Sequence, residues 1–181
     1  MNKNLLLLVV CLSILTPAVA QITATTKAGN ASDCSEWIET TVDRVDGTEF
    51  TAIKEPIIVS QDGKTGFVIT CQLASTSPTL IVVIAAVGAG RCVDEGDEIN
   101  VLFRDGSRMT LFGQGKFNCE RRSTVYFGGN FGKNKQELKD LAEKQIETVR
   151  VWTTDSFVER DFSPEQSIAF QNVVRCLSKL L

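Results

Sequence analysis

Residues 91–119 read RCVDEGDEINVLFRDGSRMTLFGQGKFNC, and how this stretch folds back decides the architecture. Two strand-like runs meet at Arg104-Asp105-Gly106-Ser107, where Asp-Gly suits the positive backbone angles of a two-residue type I′ turn. Counting outward from that turn, Arg104 faces Ser107, Leu102 faces Met109 and Ile99 faces Phe112. The same count carried to the ends sets Cys92 against Cys119. Gly96 on one arm and Gly113 and Gly115 on the other imply bulges or flared ends. The arms are nevertheless equally long, so the two cysteines return to each other. A Cys92–Cys119 disulfide is therefore expected. Closing a loop of about 28 residues, it would stabilise by roughly 3.5 kcal/mol in the chain-entropy picture.

The same grammar recurs along the chain. Val45-Asp46-Gly47-Thr48 and Gln61-Asp62-Gly63-Lys64 also carry Asp-Gly, and Thr153-Thr154-Asp155-Ser156 is a fourth candidate turn. With two-residue loops, the first sets Arg44 against Glu49 and Glu39 against Lys54. The last sets Arg150 against Glu159 and Trp152 against Phe157. Opposite charges and aromatic pairs at facing positions each stabilise by ~0.2–1 kcal/mol. Leu80 to Gly90, LIVVIAAVGAG, is rich in β-branched residues and flanked by Pro78, which predicts a central strand buried on both faces.

Two amphipathic helices lie in the C-terminal half. One starts after Asn134 and runs through KQELKDLAEKQ, with Leu138, Leu141 and Ala142 on its apolar face. The other starts at Ser163-Pro164-Glu165-Gln166, where Ser163 caps, Pro164 fits the first turn and Gln166 closes a capping box. Phe170, Val173, Val174, Leu177 and Leu181 then recur at helical spacing. Strands, helix, hairpin, helix is the order of an α+β fold with a mainly antiparallel sheet.

The first twenty residues, MNKNLLLLVVCLSILTPAVA, have the parts of a secretory signal peptide. Lys3 is the positive end, Leu5 to Leu15 the apolar core, and Ala18-Val19-Ala20 the small-residue site, so cleavage after Ala20 is expected. Cys11 is not read as a lipid-modified cysteine, because Val10 stands where a lipoprotein signal wants a small residue. Cleavage removes one of 19 basic and none of 22 acidic residues, making the net charge one unit more negative than −3. Residues 21–32 have the composition of a flexible tether, which leaves residues 33–181 as one α+β domain. Asn30-Ala31-Ser32 matches a glycosylation sequon that a bacterial-looking signal discounts. No basic stripe invites nucleic acid. The mature chain is expected to be soluble, without a transmembrane segment.

Much chemistry is excluded by composition. There is no histidine, which removes Ser-His-Asp and Cys-His catalysis and histidine-ligated zinc. Cys34, Cys71, Cys92, Cys119 and Cys176 lie far apart with no Cys-x-x-Cys, so neither a zinc knuckle nor a thioredoxin-like pair exists. Lys64-Thr65-Gly66 matches one signature of penicillin-binding enzymes, yet the Ser-x-x-Lys and Ser-Asp-Asn partners are missing. The Gly88-Ala89-Gly90 stretch lacks a dinucleotide fingerprint's third glycine. Residues 128–133, GGNFGK, precede a helix but lack the P-loop ending and read as a connector. Asp94, Glu95, Asp97 and Glu98 form the densest acidic cluster. They are a candidate cation site without the ordered spacing of an EF-hand, and a solvated loop is the default. No catalytic residue, cofactor or resident metal is expected.

Export makes disulfides possible. Of the three cysteines outside the expected bridge, Cys71 alternates with Phe67, Ile69 and Leu73 and points into the core. Cys176 lies beside the stripe of the last helix. A second bridge can join two of the three, and the spacing does not choose which.

The order Cys92-Val93-Asp94, LFRDGSRMTL, Phe117-Asn118-Cys119, IETVRVWTTDSFVERDFSPEQ and a cysteine in the final helix resembles a group of uncharacterised small exported proteins of Bacteroidota-type bacteria. The likeness covers roughly residues 90–178. It implies an exported α+β domain and carries over no catalytic residues. The expectation is an exported, non-enzymatic binding or structural domain, periplasmic or secreted, with an envelope or extracellular partner. Two other readings predict distinct geometry. A carboxylate-based hydrolase acting on glycans needs two converging acids. A carrier of a small apolar ligand needs an enclosed cavity.

Overall fold

The computed structural model describes residues 33–60, 62–88, 90–128 and 134–181. The signal peptide, the Cys11 and sequon readings, the 21–32 tether and all of the 128–133 connector except Gly128 lie outside the described residues. The described residues begin with a 3-10 turn, Cys34–Glu36, and then form ten strands and two helices. The strands are β1 Ile38–Val42, β2 Glu49–Ile53, β3 Ile57–Ser60, β4 Gly66–Leu73, β5 Thr79–Val87, β6 Glu98–Phe103, β7 Arg108–Phe112, β8 Arg122–Gly128, β9 Ile146–Trp152 and β10 Phe157–Asp161. The helices are α1 Lys135–Glu143 and α2 Pro164–Ser178.

All strand pairings are antiparallel, as expected for an α+β chain built from hairpins. The first sheet runs β1-β2-β4-β5-β8, with β3 also paired to β4. The second runs β10-β9-β6-β7. Alternate residues of each sheet turn inward. Ile69, Val82, Ile84, Val125 and Phe127 from the first meet Val101, Leu111 and Val149 from the second, with Leu141 of α1 and Phe170 of α2. This interior is tightly filled, and the space it encloses is about 20 Å³.

β5 is central, between β4 and β8, but only one of its faces is fully buried. Leu80, Val82, Ile84 and Ala86 face the second sheet, whereas Ile81, Val83 and Ala85 are half-buried on the other side. The expectation of burial on both faces is corrected: the second sheet covers one side only.

The turns depart from expectation in an instructive way. A type I′ turn needs positive φ at both central residues. Here only the glycines adopt it: Gly47 at 75°, Gly63 at 68° and Gly106 at 81°. Each preceding aspartate instead accepts a backbone N–H two residues on, Thr48 to Asp46, Lys64 to Asp62 and Ser107 to Asp105, at 2.8–2.9 Å. Such Asx turns wrap longer loops. Between β6 and β7, Phe103 N–H donates to Ser107 O and Gly106 N–H to Phe103 O, both 2.9 Å, so the loop has three residues. The register moves by one: Leu102 faces Arg108 and Ile99 faces Leu111, which puts two buried residues opposite each other. In the first hairpin Glu39 faces Ala52 and Val42 faces Glu49, and Arg44 lies in the loop, so neither expected charge pair forms. In the second, Ser60 faces Gly66. Gly66 has φ 153°, and a Cβ there would lie 2.0 Å from the Val59 carbonyl, which is why glycine opens this strand.

The fourth turn is as counted. Thr153 N–H donates to Ser156 O at 2.9 Å, Arg150 faces Glu159 and Trp152 faces Phe157. Both helices start where expected. Ser163 and Gln166 form the reciprocal capping box, and Asn134 caps α1 by position while its side chain donates to Tyr126 O at 3.2 Å. α1 ends two residues early at Glu143. Leu181 at the end of the apolar stripe is 37% exposed, whereas Phe170, Val173, Val174 and Leu177 are buried.

Two disulfides close the structure. Cys92 and Cys119 are bridged, with Cα atoms 4.0 Å apart. Their meeting survives the shifted register because the second arm carries one more residue at the base, 113–117 against 94–97. Beyond it Val93 pairs with Asn118. The second bridge joins Cys34 to Cys176, tying the start of the domain to the last helix. Cys71 is left free and buried, 1% exposed, and burial pushes its thiol pKa up to about 12. Two disulfides are the chemistry of a non-reducing, exported environment. Among the described residues no helix is long and apolar enough to cross a membrane, a statement that leaves β-barrels aside.

Candidate functional site

The outer face of the second sheet carries a connected set of polar and aromatic side chains. Alternation makes it: Val149 and Val151 of β9 turn into the core, so Thr148, Arg150 and Trp152 turn outward. On β6, Ile99, Val101 and Phe103 turn inward, leaving Asn100 and Leu102 on the same outer face. Register then sets rows across the strands. Glu159, Arg150, Asn100 and Thr110 form one, and Asp161, Thr148, Leu102 and Arg108 the next.

Most of the polar side chains in these rows are bonded to one another. Arg150 grips Glu159 through one carboxylate oxygen, Nε at 2.7 Å and Nη2 at 2.6 Å. Its guanidinium also lies 4.6 Å from the Phe157 ring centroid and 5.8 Å from that of Trp152. The two rings are 5.2 Å apart, tilted at 60°. Trp152 Nε1 donates to Asn100 Oδ1 at 2.8 Å, and Asn100 Nδ2 donates to Thr110 Oγ1 and Glu98 Oε2, each at 3.2 Å. Thr148 Oγ1 donates to Asp161 Oδ1 at 2.7 Å. Asn100 is thereby held at both ends of its amide, and Arg150 between an anion and two aromatic faces.

The face is shallow, with a concavity of about 430 Å³ over the rows just named. Its aromatic groups remain open to solvent: Trp152 is 36%, Phe157 41% and Phe112 54% exposed. Charges of opposite sign sit side by side, so no strong field of one sign covers it.

Asp94, Glu95, Asp97 and Glu98 are not gathered around one point. Asp97 Oδ2 accepts the Asp94 N–H at 2.7 Å, Asp94 Oδ1 accepts from Glu95 N–H at 2.8 Å, and Glu98 is turned to Asn100. Among the described residues, no group of three or more metal-ligating side chains is assembled. Lys64 and Thr65 are turn residues donating backbone N–H to Asp62. Every carboxyl with a resolved shift is held below its ordinary range. Asp33 and Asp105 are lowered first by side-chain hydrogen bonds from Ser35 and Ser107, Asp46 and Asp62 first by backbone N–H of Thr48 and Thr65. Glu165 is lowered by its own backbone N–H and by Ser163.

Sequence reading found the Arg150–Glu159 and Trp152–Phe157 pairs but missed Asn100, Thr110 and Phe112 as their neighbours. The signal for which face Asn100 takes was present in the alternation Ile99-Asn100-Val101. That β6 lies beside β9 is a long-range fact with no local signature. No protein family, no curated protein and no solved structure matches the chain.

Proposed function

We propose that this chain is an exported, non-enzymatic binding domain, periplasmic or secreted after cleavage near Ala20. It docks an envelope or extracellular protein on the outer face of its second sheet. One observation carries the reading: Arg150, Glu159, Asn100, Thr110, Thr148 and Asp161 of that face are bonded to neighbouring side chains while its aromatic rings stay exposed. A partner covering it strips little hydrogen bonding from water, so desolvation costs little and ring burial is favourable. Trp and Arg held rigid at the centre of a patch are the composition of binding hot spots.

The other two readings find less support. A glycan-processing site needs donors and acceptors free for sugar hydroxyls and an acid raised in pKa. On this face Asn100, Arg150 and Glu159 are already committed to bonds with neighbouring side chains. A carrier needs an enclosed cavity, and the interior leaves about 20 Å³, room for about one water. The small exported proteins that the sequence resembles are, on this reading, domains of the same kind.

The test is photo-crosslinking in the producing cell, with a benzophenone amino acid in place of exposed Phe112. One discrete protein adduct is expected, lost when R150A and W152A are added to a chain that still melts cooperatively. Absence of any adduct, together with release of reducing sugar from envelope glycan, would replace docking with hydrolysis.

A further inference from the structure

A second concavity, about 500 Å³, lies away from the sheet-two rows. The 3-10 turn and Trp37, the β2–β3 connection Lys54-Glu55-Pro56, and the first turns of α2 enclose it. Trp37, Ile53, Ile57, Ala169 and Val173 line it with apolar surface. Its size suits one small ligand or a few residues of a peptide.

The walls are pre-set by bonds to different parts of the chain. Gln166 Nε2 donates to the Ile58 carbonyl at 2.8 Å, and its Oε1 accepts from Ser163 N–H at 2.8 Å, so α2 is pinned to β3. Lys54 N–H donates to Trp37 O at 3.1 Å. The Cys34–Cys176 bridge ties the turn before Trp37 to α2. A groove fixed before binding loses little entropy on binding.

Its rim is charged with one sign in excess. Glu36, Glu55 and Glu165 stand around the apolar lining, with Lys54 as the opposing charge on the rim and Arg104 acting on Glu165 from outside it. All four rim residues are exposed, so their field reaches an incoming ligand. Glu165 is in the first turn of α2, where hydrogen bonds from its own backbone N–H and from Ser163 favour its ionised form. A neutral apolar guest would leave that excess negative charge unanswered, and an acidic one would be repelled.

We propose that this groove binds a short peptide segment of a partner protein in which an aliphatic or aromatic side chain is flanked by lysine or arginine. The apolar side chain enters between Trp37 and Val173, and the flanking cations meet the rim glutamates. The site does not depend on the sheet-two face, and either can fail without the other.

The two tryptophans of the chain make the test clean, because one belongs to each site. In the ¹⁵N-labelled protein each gives one indole N–H signal, assigned by the loss of one in W37F. The probe is acetyl-Lys-Leu-Lys-Leu-Lys-amide, with acetyl-Glu-Leu-Glu-Leu-Glu-amide as its opposite. The basic peptide is expected to move the Trp37 signal saturably and leave Trp152 in place; the acidic peptide moves neither. E36Q/E55Q/E165Q should weaken binding at least about tenfold, and 0.5 M salt should weaken it too. The Trp152 signal reports that the variant is folded, and E55Q alone, on the open rim, should give a smaller loss. The proposal is overturned if Trp37 does not move, if both peptides act alike, or if the triple variant binds unchanged.

Discussion

Two regions of this molecule are held by one disulfide each, and they differ in what the bond connects. Cys92–Cys119 closes the base of a single hairpin, where positions 27 apart are already brought back by strand pairing. Cys34–Cys176 joins positions 142 apart, and holds β1 and its 3-10 turn to a helix far away in sequence. The packing differs as well. β1 buries only Ile38 of its five residues, whereas Cys176 lies among the buried residues of α2. The local bridge reinforces contacts that secondary structure makes anyway. The long one adds a covalent link to the packing of α2 against the first strands, and it helps hold Trp37 beside α2.

The largest way to break the comparison is C34A/C176A. In the chain-entropy picture its cost is about 5 kcal/mol, against roughly 3.5 for C92A/C119A. Urea denaturation of both variants should show the first midpoint lower. An equal or reversed order would mean that loop length does not govern these bonds. For C92A/C119A the loss should also be seen locally, as faster hydrogen exchange at the amides of Val93 and Asn118 than at those of β5. Uniform exchange across both regions would contradict it.

The third kind of cysteine sharpens the contrast. Cys71 is buried with no disulfide partner, so it acts as a small apolar group. C71S should lose about 1–3 kcal/mol by burying a hydroxyl, and C71V less than about 1.5 kcal/mol. With its pKa pushed up to about 12 by burial, the native thiol should resist an alkylating reagent until the protein is unfolded. Rapid labelling under native conditions would refute the burial. The smallest effect is expected on the outer face, where no covalent bond acts. A double-mutant cycle on Arg150 and Glu159 should give a coupling of about 0.2–1 kcal/mol, measured by thermal melting.

The hairpins show how far a sequence reading reaches. Element order, both helix starts and one bridge followed from local signals: Ser163 three residues before Gln166, Asn134 before an apolar face, and cysteines at equal distances from a turn. Register was harder. Asp-Gly predicts a two-residue loop at three turns, and each loop is longer, because aspartate accepts the N–H two residues on in place of adopting positive φ. The turn without Asp-Gly was the one counted correctly, and there charge and ring pairs agreed with the count. For β6 and β7, alternation would have corrected the turn: Ile99 and Leu111 both belong inside, and a slip of one residue would have turned one of them out. The candidate sites were less visible still. Asn100 meets Trp152, and Cys34 meets Cys176, only through the way the sheets are ordered and packed.

The odd number of cysteines among the described residues also bears on the order in which the domain can fold. Of the described cysteines Cys34 is made first and its partner Cys176 last, so the thiol must wait while nearly the whole domain is synthesised. Cys71 is the first competitor to arrive. Its strand pairs with β3 before it and β5 after it, so that meander is complete by residue 87, ahead of Cys92, and the later elements then cover its inner face. Neighbouring hairpins close faster than distant ends meet. Sequence-local pairing thus sets which way the Cys71 thiol points before Cys176 is made, and leaves two pairs with very different closing times.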